Sequence, residues 1–128
     1  MILRFLCFVT LLAAAPYEVQ AASRAKEPGE RAFQYCFSCH SVNPEETDLQ
    51  GPNLFGVVGR PIASKSGFKY SPALMNFAKT NGTWTPELIA KFIQDPPALV
   101  PGTLMEQPSG VNAPAVRKLI LEYLDQQH

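Results

Sequence analysis

The densest group of reactive side chains in this 128-residue chain lies in one five-residue run, Cys36-Phe37-Ser38-Cys39-His40. Two thiols three residues apart can each form a thioether to one of the two vinyl groups along a haem edge. An imidazole directly after the second thiol then sits under the iron. The C-x-x-C-H spacing is that of a covalent c-type haem site, with Cys36 and Cys39 as attachment points and His40 as the proximal ligand. Two other chemistries use paired thiols. A zinc site needs further nitrogen or sulfur ligands, and beyond the motif only His128 offers one. A disulfide-exchange motif belongs in a βαβ setting, and the strand signals here are poor.

A haem held by His40 has a sixth iron position, either filled by the chain or open. Two methionines lie beyond the N-terminal segment, Met75 and Met105. Met75 falls mid-way along a short helical stretch and reads as core filler. Met105 follows Val100-Pro101-Gly102-Thr103-Leu104, a stiff turn that would hold a thioether in place. Thioether ligation opposite histidine raises the reduction potential and favours electron transfer over oxygen chemistry.

The elements that must position these groups are short. Twelve prolines and eight glycines predict short helices between long loops. A first helix starts near Pro28 and runs through Phe33 to the C-x-x-C-H run. Residues 43–69 read as one long loop, broken by Pro44, Gly51-Pro52, Gly56, Gly59, Pro61 and Gly67. Such a loop suits a small domain if it wraps a cofactor. Ser71-Pro72 caps and opens a short helix that stops before Asn81-Gly82. Thr85-Pro86-Glu87 opens another, with Leu88, Ile89, Phe92 and Ile93 on one face and a stop at Asp95-Pro96-Pro97. Asn112 is the expected cap of a last helix, with Pro114 in its first turn and an apolar stripe of Val116, Leu119, Ile120, Tyr123 and Leu124.

Residues 1–21 read as a cleaved export signal. Arg4 is the basic start, Phe5 to Ala15 is an apolar run too short to span a bilayer, and Val19-Gln20-Ala21 suits cleavage after Ala21. The remaining residues, 22–128, make one small domain with no stable membrane insertion. Its polar start, residues 22–27, reads as loose. Eleven basic and eleven acidic residues balance over the whole chain, and cleavage removes one of each, Arg4 and Glu18. Without basic excess there is no basis for nucleic-acid binding. No cysteine is left for a structural disulfide, so a covalent haem would be the staple of a small core.

Several motifs in fixed order resemble the class I c-type cytochromes of mitochondria and bacteria. They are Gly29-Glu30-x-x-Phe33, the C-x-x-C-H run, Gly51-Pro52-Asn53-Leu54-x-Gly56 with Gly59-Arg60, Gly67-Phe68-x-Tyr70, Trp84, Pro101-Gly102-Thr103-x-Met105 and Tyr123-Leu124. The resemblance covers nearly all of the segment after residue 21. It implies a small all-α, single-domain cytochrome c fold, with three to five short helices and long loops round one covalent haem. It implies that His40 and Met105 ligate the iron and that the Pro52 carbonyl accepts the His40 ring N–H. It implies that Tyr70 and Trp84 donate to a buried haem propionate, with Arg60 nearby and Thr103 by the other propionate. Gly29, Phe33 and Tyr123 resemble the family's crossing of first and last helices.

The chain departs from that family at two places. Phe92 stands where many relatives carry a tyrosine whose hydroxyl approaches the methionine sulfur. The stretches that would ring the exposed haem edge with lysines read Tyr35, Ser38, Leu49, Pro97-Ala98 and Leu104. The expected function is an exported one-electron carrier, not an enzyme, exchanging electrons with redox protein partners as a monomer or complex subunit. Two alternatives stay open: a ligand sensor or peroxidase-like enzyme with a labile Met105, and an electron-relay subunit of a periplasmic oxidoreductase complex.

Overall fold

The computed structural model describes residues 26–106, 108 and 110–128. The export signal expected over 1–21 lies outside these residues, as do the first four residues of the expected loose stretch.

Among the described residues there are five helices: α1 (Pro28–Phe33), α2 (Pro72–Asn81), α3 (Pro86–Gln94), α4 (Pro96–Leu99) and α5 (Pro114–Asp125). Every one has proline in its first turn, where a missing N–H costs nothing and the fixed φ favours helix. Ser71 and Thr85 cap α2 and α3, accepting from the amides of Leu74 and Leu88. Residues 43–69 form the expected long loop without helix.

The structure differs from expectation at four local points. Asp95-Pro96-Pro97 ends α3 but also starts α4, because the Asp95 side chain caps the amide of Ala98 at 3.1 Å. α2 runs through Asn81 itself and is closed by Gly82 at φ +70°. Ala113, not Asn112, holds the cap position of α5, and no side chain caps it. Instead Arg117 donates back to the carbonyls of Val111 and Asn112 at 2.8 and 2.6 Å, tying the entering chain to the helix. Met75 is not core filler. It is 47% exposed, since α2 turns Leu74, Phe77 and Ala78 toward the core and buries none of its residues fully.

The first and last helices cross in tight contact. A Cβ built on Gly29 would lie 2.8 Å from Tyr123 Cβ and 3.0 Å from the Leu119 carbonyl oxygen. Phe33, fully buried, packs its ring 5.2 Å from that of Tyr123. α3 also packs against α5, burying Ile89, Phe92 and Ile93 against Ile120 and Leu124. The long loop is tied down separately. Gly59 and Trp84 pair through the Gly59 amide at 2.8 Å, and Ile62 donates to Gly82 at 2.9 Å. This short antiparallel pairing, with a bridge between Pro61 and Thr83, puts Arg60 beside Trp84.

Candidate functional site

Directly after α1 the chain makes a further turn that carries Cys36, Cys39 and His40. The amides of Cys39 and His40 both donate to the Cys36 carbonyl, at 3.1 and 2.9 Å. Residues at i, i+3 and i+4 of such a turn share one face, so both thiols and the imidazole point the same way. That face forms a wall of a cavity of about 760 Å³, partly open to solvent.

The imidazole is held on two sides. Nδ1 lies 2.8 Å from the Pro52 carbonyl oxygen. A carbonyl can only accept, so Nδ1 carries the proton and Nε2 keeps its lone pair. Gly51 lies against the ring, and any Cβ there would overlap Cε1, Nδ1 and Nε2. The Gly51 amide donates to the Cys39 carbonyl at 2.8 Å, pinning the loop to the thiol turn. Burial holds the His40 pKa below its ordinary value, partly offset by the Pro52 bond. The ring is therefore neutral at neutral pH, the form that binds a metal.

The thiols argue against a disulfide-exchange motif. Burial, with Cys39 adding to it, pushes the Cys36 pKa up to about 11. An attacking redox thiol needs the opposite shift. The zinc reading fares no better, since among the described residues no three His, Cys, Asp or Glu side chains gather to hold a metal.

Opposite polarity enters the cavity at few points. Its lining is mostly apolar, including Phe33, Leu54, Trp84, Phe92 and Ile120, with Met105 on the loop after α4. Thr103 accepts the Met105 amide through its hydroxyl at 3.3 Å, which stiffens the loop that presents the thioether. Arg60, Tyr70 and Thr103 also line the cavity. The Arg60 guanidinium donates to the carbonyls of Asn53 at 3.1 Å and Phe55 at 3.3 Å. The Tyr70 hydroxyl accepts the Lys65 amide at 3.2 Å, and burial raises its pKa. The Trp84 ring packs against Phe92 at 5.1 Å between centroids, tilted by 45°. All nine residues expected at the site thus surround one cavity: Cys36, Cys39, His40, Pro52, Arg60, Tyr70, Trp84, Thr103 and Met105. Met75 is absent from its walls.

The cavity joins one wall of two thiols and an imidazole to a largely apolar interior, and it opens to solvent on one side. These residues fit a flat, largely apolar macrocycle, which Cys36 and Cys39 would anchor by thioether bonds and to which His40 would offer a ring nitrogen. Together the all-α fold and this cavity define a small c-type haem protein.

Comparison with known proteins agrees. The chain is 39% identical over 98 residues to cytochrome c2 of Blastochloris viridis, covering 77% of this chain and 72% of that one. It is 34% identical over 122 residues to cytochrome c2 of Rhodomicrobium vannielii, covering 94% of each. With cytochrome c-550 of Paracoccus denitrificans it shares 41% over 91 residues, which span 57% of that relative. Among solved structures, cytochrome c2 of Rhodospirillum centenum superposes with a TM-score of 0.72 at 30% identity, over 80% of this chain and 98% of that one. Cytochrome cH of Methylobacterium extorquens gives 0.65 at 36% identity, over 77% and 94%. No protein-family model matches the chain. The chain belongs to the class I c-type cytochromes. It is an electron-carrier cytochrome with one haem c, joined to the protein through Cys36 and Cys39.

Three residues with structural roles at the site were not assigned any from sequence. Gly51 stands in the Gly-Pro motif, but its contact with the imidazole shows only in the fold. Asn53 stands in the same motif with no role attached, and Asp48 is a loop residue that nothing in its spacing marks; both turn out to brace Pro52.

Proposed function

We propose that this chain is an exported one-electron carrier in which His40 Nε2 and the Met105 sulfur hold the haem iron. The observation that supports it best is the His40 Nδ1 to Pro52 carbonyl bond at 2.8 Å, which leaves Nε2 as the free ring nitrogen on the cavity wall that also carries the two thiols. The haem supplies a reversible one-electron change between Fe(II) and Fe(III). The chain's own residues hold and shield it. Cys36 and Cys39 anchor one edge, Gly51 and Pro52 hold the imidazole plane, and the Thr103 loop presents Met105. Trp84, Phe92 and Ile120 keep water from the interior. Tyr70, Trp84 and Arg60 line the cavity, and in this reading they stabilise propionate charge, which would otherwise be costly to bury. No acid–base step is asked of any side chain, so the reading is a carrier and not an enzyme.

Export is supported by the leader-like composition of residues 1–21, with cleavage after Ala21. No helix among the described residues is long and apolar enough to cross a membrane.

Absorption spectra of the exported protein in both redox states test the ligand set. Met105→Ala is expected to abolish the methionine-to-ferric charge-transfer band, whereas Met75→Ala leaves it intact. Persistence of the band in Met105→Ala would remove Met105 from the iron. A band that is already missing in the unaltered protein would favour an open sixth position, as in a ligand sensor.

A further inference from the structure

We propose that Asp48 is a positioning residue that tunes the iron through a single peptide group, by strengthening the pull of Pro52 on the His40 imidazole. The proposal rests on the reading that His40 ligates the iron.

The Pro52 carbonyl and the Asn53 amide belong to one planar peptide unit. Each end of that unit has one short partner. The carbonyl oxygen accepts from His40 Nδ1 at 2.8 Å, and the Asn53 N–H donates to Asp48 Oδ1 at 2.7 Å. The chain of groups therefore runs carboxylate, peptide, imidazole. Asn53 is 2% exposed, and its remaining polar atoms are all engaged. Its Nδ2 donates to the carbonyls of Asn43 at 2.7 Å and Glu46 at 2.9 Å. Its Oδ1 accepts the Phe55 amide at 2.8 Å, and its carbonyl accepts the Arg60 guanidinium at 3.1 Å. The peptide unit cannot turn without breaking this set.

A neutral acceptor would suffice to hold the peptide in place. A carboxylate does more, because an N–H bond to an ionised acceptor is about twice as strong as a neutral one. Linked hydrogen bonds polarise one another by roughly 10–30% per bond. Negative charge at Asp48 thus moves electron density toward the Pro52 oxygen. A stronger acceptor there draws the Nδ1 proton and makes the imidazole a more basic ligand. A more basic ligand favours ferric over ferrous iron. Arg60 and Asp48 sense each other's charge, but Arg60 grips the next carbonyl along and does not touch the Pro52–Asn53 unit.

Asp48→Asn isolates the charge, since its amide oxygen can still accept the Asn53 N–H. The test is redox titration of the haem-loaded full-length protein, together with the proton NMR resonance of His40 Nδ1–H in the ferrous form. Asp48→Asn should raise the ferrous-to-ferric ratio at fixed potential about threefold, roughly 28 mV at 59 mV per tenfold change. The Nδ1 proton should move upfield. Asp48→Glu, which keeps the charge, should return both readouts toward their original values. Glu46→Gln removes a carboxylate that bonds Ser41 and Asn43 and should shift the ratio less. An unchanged or lowered ratio in Asp48→Asn overturns the proposal. So does a shift matched by Glu46→Gln with the Nδ1 resonance unmoved, which would mean charge acting through space. Failure of Asp48→Glu to restore the ratio overturns it too. If the unaltered protein carries no covalent haem, the haem reading itself fails, and that shows before any variant is compared.

Discussion

Phe92 is the residue whose side chain departs most informatively from the family pattern. It is buried at the cavity wall, with Trp84 against its ring at 5.1 Å. Phenylalanine offers no hydrogen-bond donor to a thioether on the facing loop. Phe92→Tyr would add one; with Met105 on the iron as proposed, this would weaken the sulfur's electron donation to ferric iron, so the reduction potential should rise. The hydroxyl would cost stability wherever it lacks a partner. Redox titration of this variant checks the prediction, and a potential equal to that of the parent would count against it. At the same scale, the identities of the thiols and the imidazole were legible from spacing alone. Of the two methionines, Met105 lines the cavity and Met75 does not. The core role expected for Met75 was wrong, because helical periodicity does not say which face of an amphipathic stretch turns inward.

At the scale of elements, the crossing of α1 and α5 holds the haem-bearing turn in place. Gly29 permits it, with Tyr123 Cβ where a side chain would begin. Ordinarily alanine for glycine in a helix gains about 1 kcal/mol. Here the added Cβ would meet backbone and Cβ atoms that cannot swing aside, and overpacking of this kind costs about 1–3 kcal/mol. Gly29→Ala should therefore lower the melting temperature of the haem-loaded protein. A raised melting temperature would mean that the two helices are free to part. The helices themselves were well marked in the sequence by Pro28, Pro72, Pro86 and Pro114. Their ends were less so, and the Asn112 cap failed because Pro114 removes one N–H that a cap would serve and Arg117 ties down the preceding carbonyls instead.

For the whole molecule the question is how partners reach the haem. Formal charges cancel over the chain. Near the C-x-x-C-H turn and the Met105 loop the exposed side chains include Tyr35, Phe37 and Leu104, the last 79% exposed. A face of this kind associates by burying apolar area, with little long-range steering. Steering needs like-signed charge and is screened over about 10 Å at 0.1 M salt. The rate of electron exchange with a redox partner should vary little between low and high ionic strength. Stopped-flow measurement across that range checks it, and a steep fall would show that charged contacts guide docking.

What the sequence determined by itself is whatever depends on neighbours along the chain. The C-x-x-C-H turn, the proline-opened helices, the long glycine-punctuated loop and the balance of charge all follow from local spacing and composition. What only the tertiary structure decided is which distant groups meet. His40 bonds a carbonyl twelve residues on, Gly51 lies against its ring, and Asp48 clasps the far end of the same peptide. The Pro52 contact could be expected only through family resemblance. Those contacts depend on how the long loop folds back over the thiol turn. That path is set by packing around the cavity, and no periodicity in the residues encodes it.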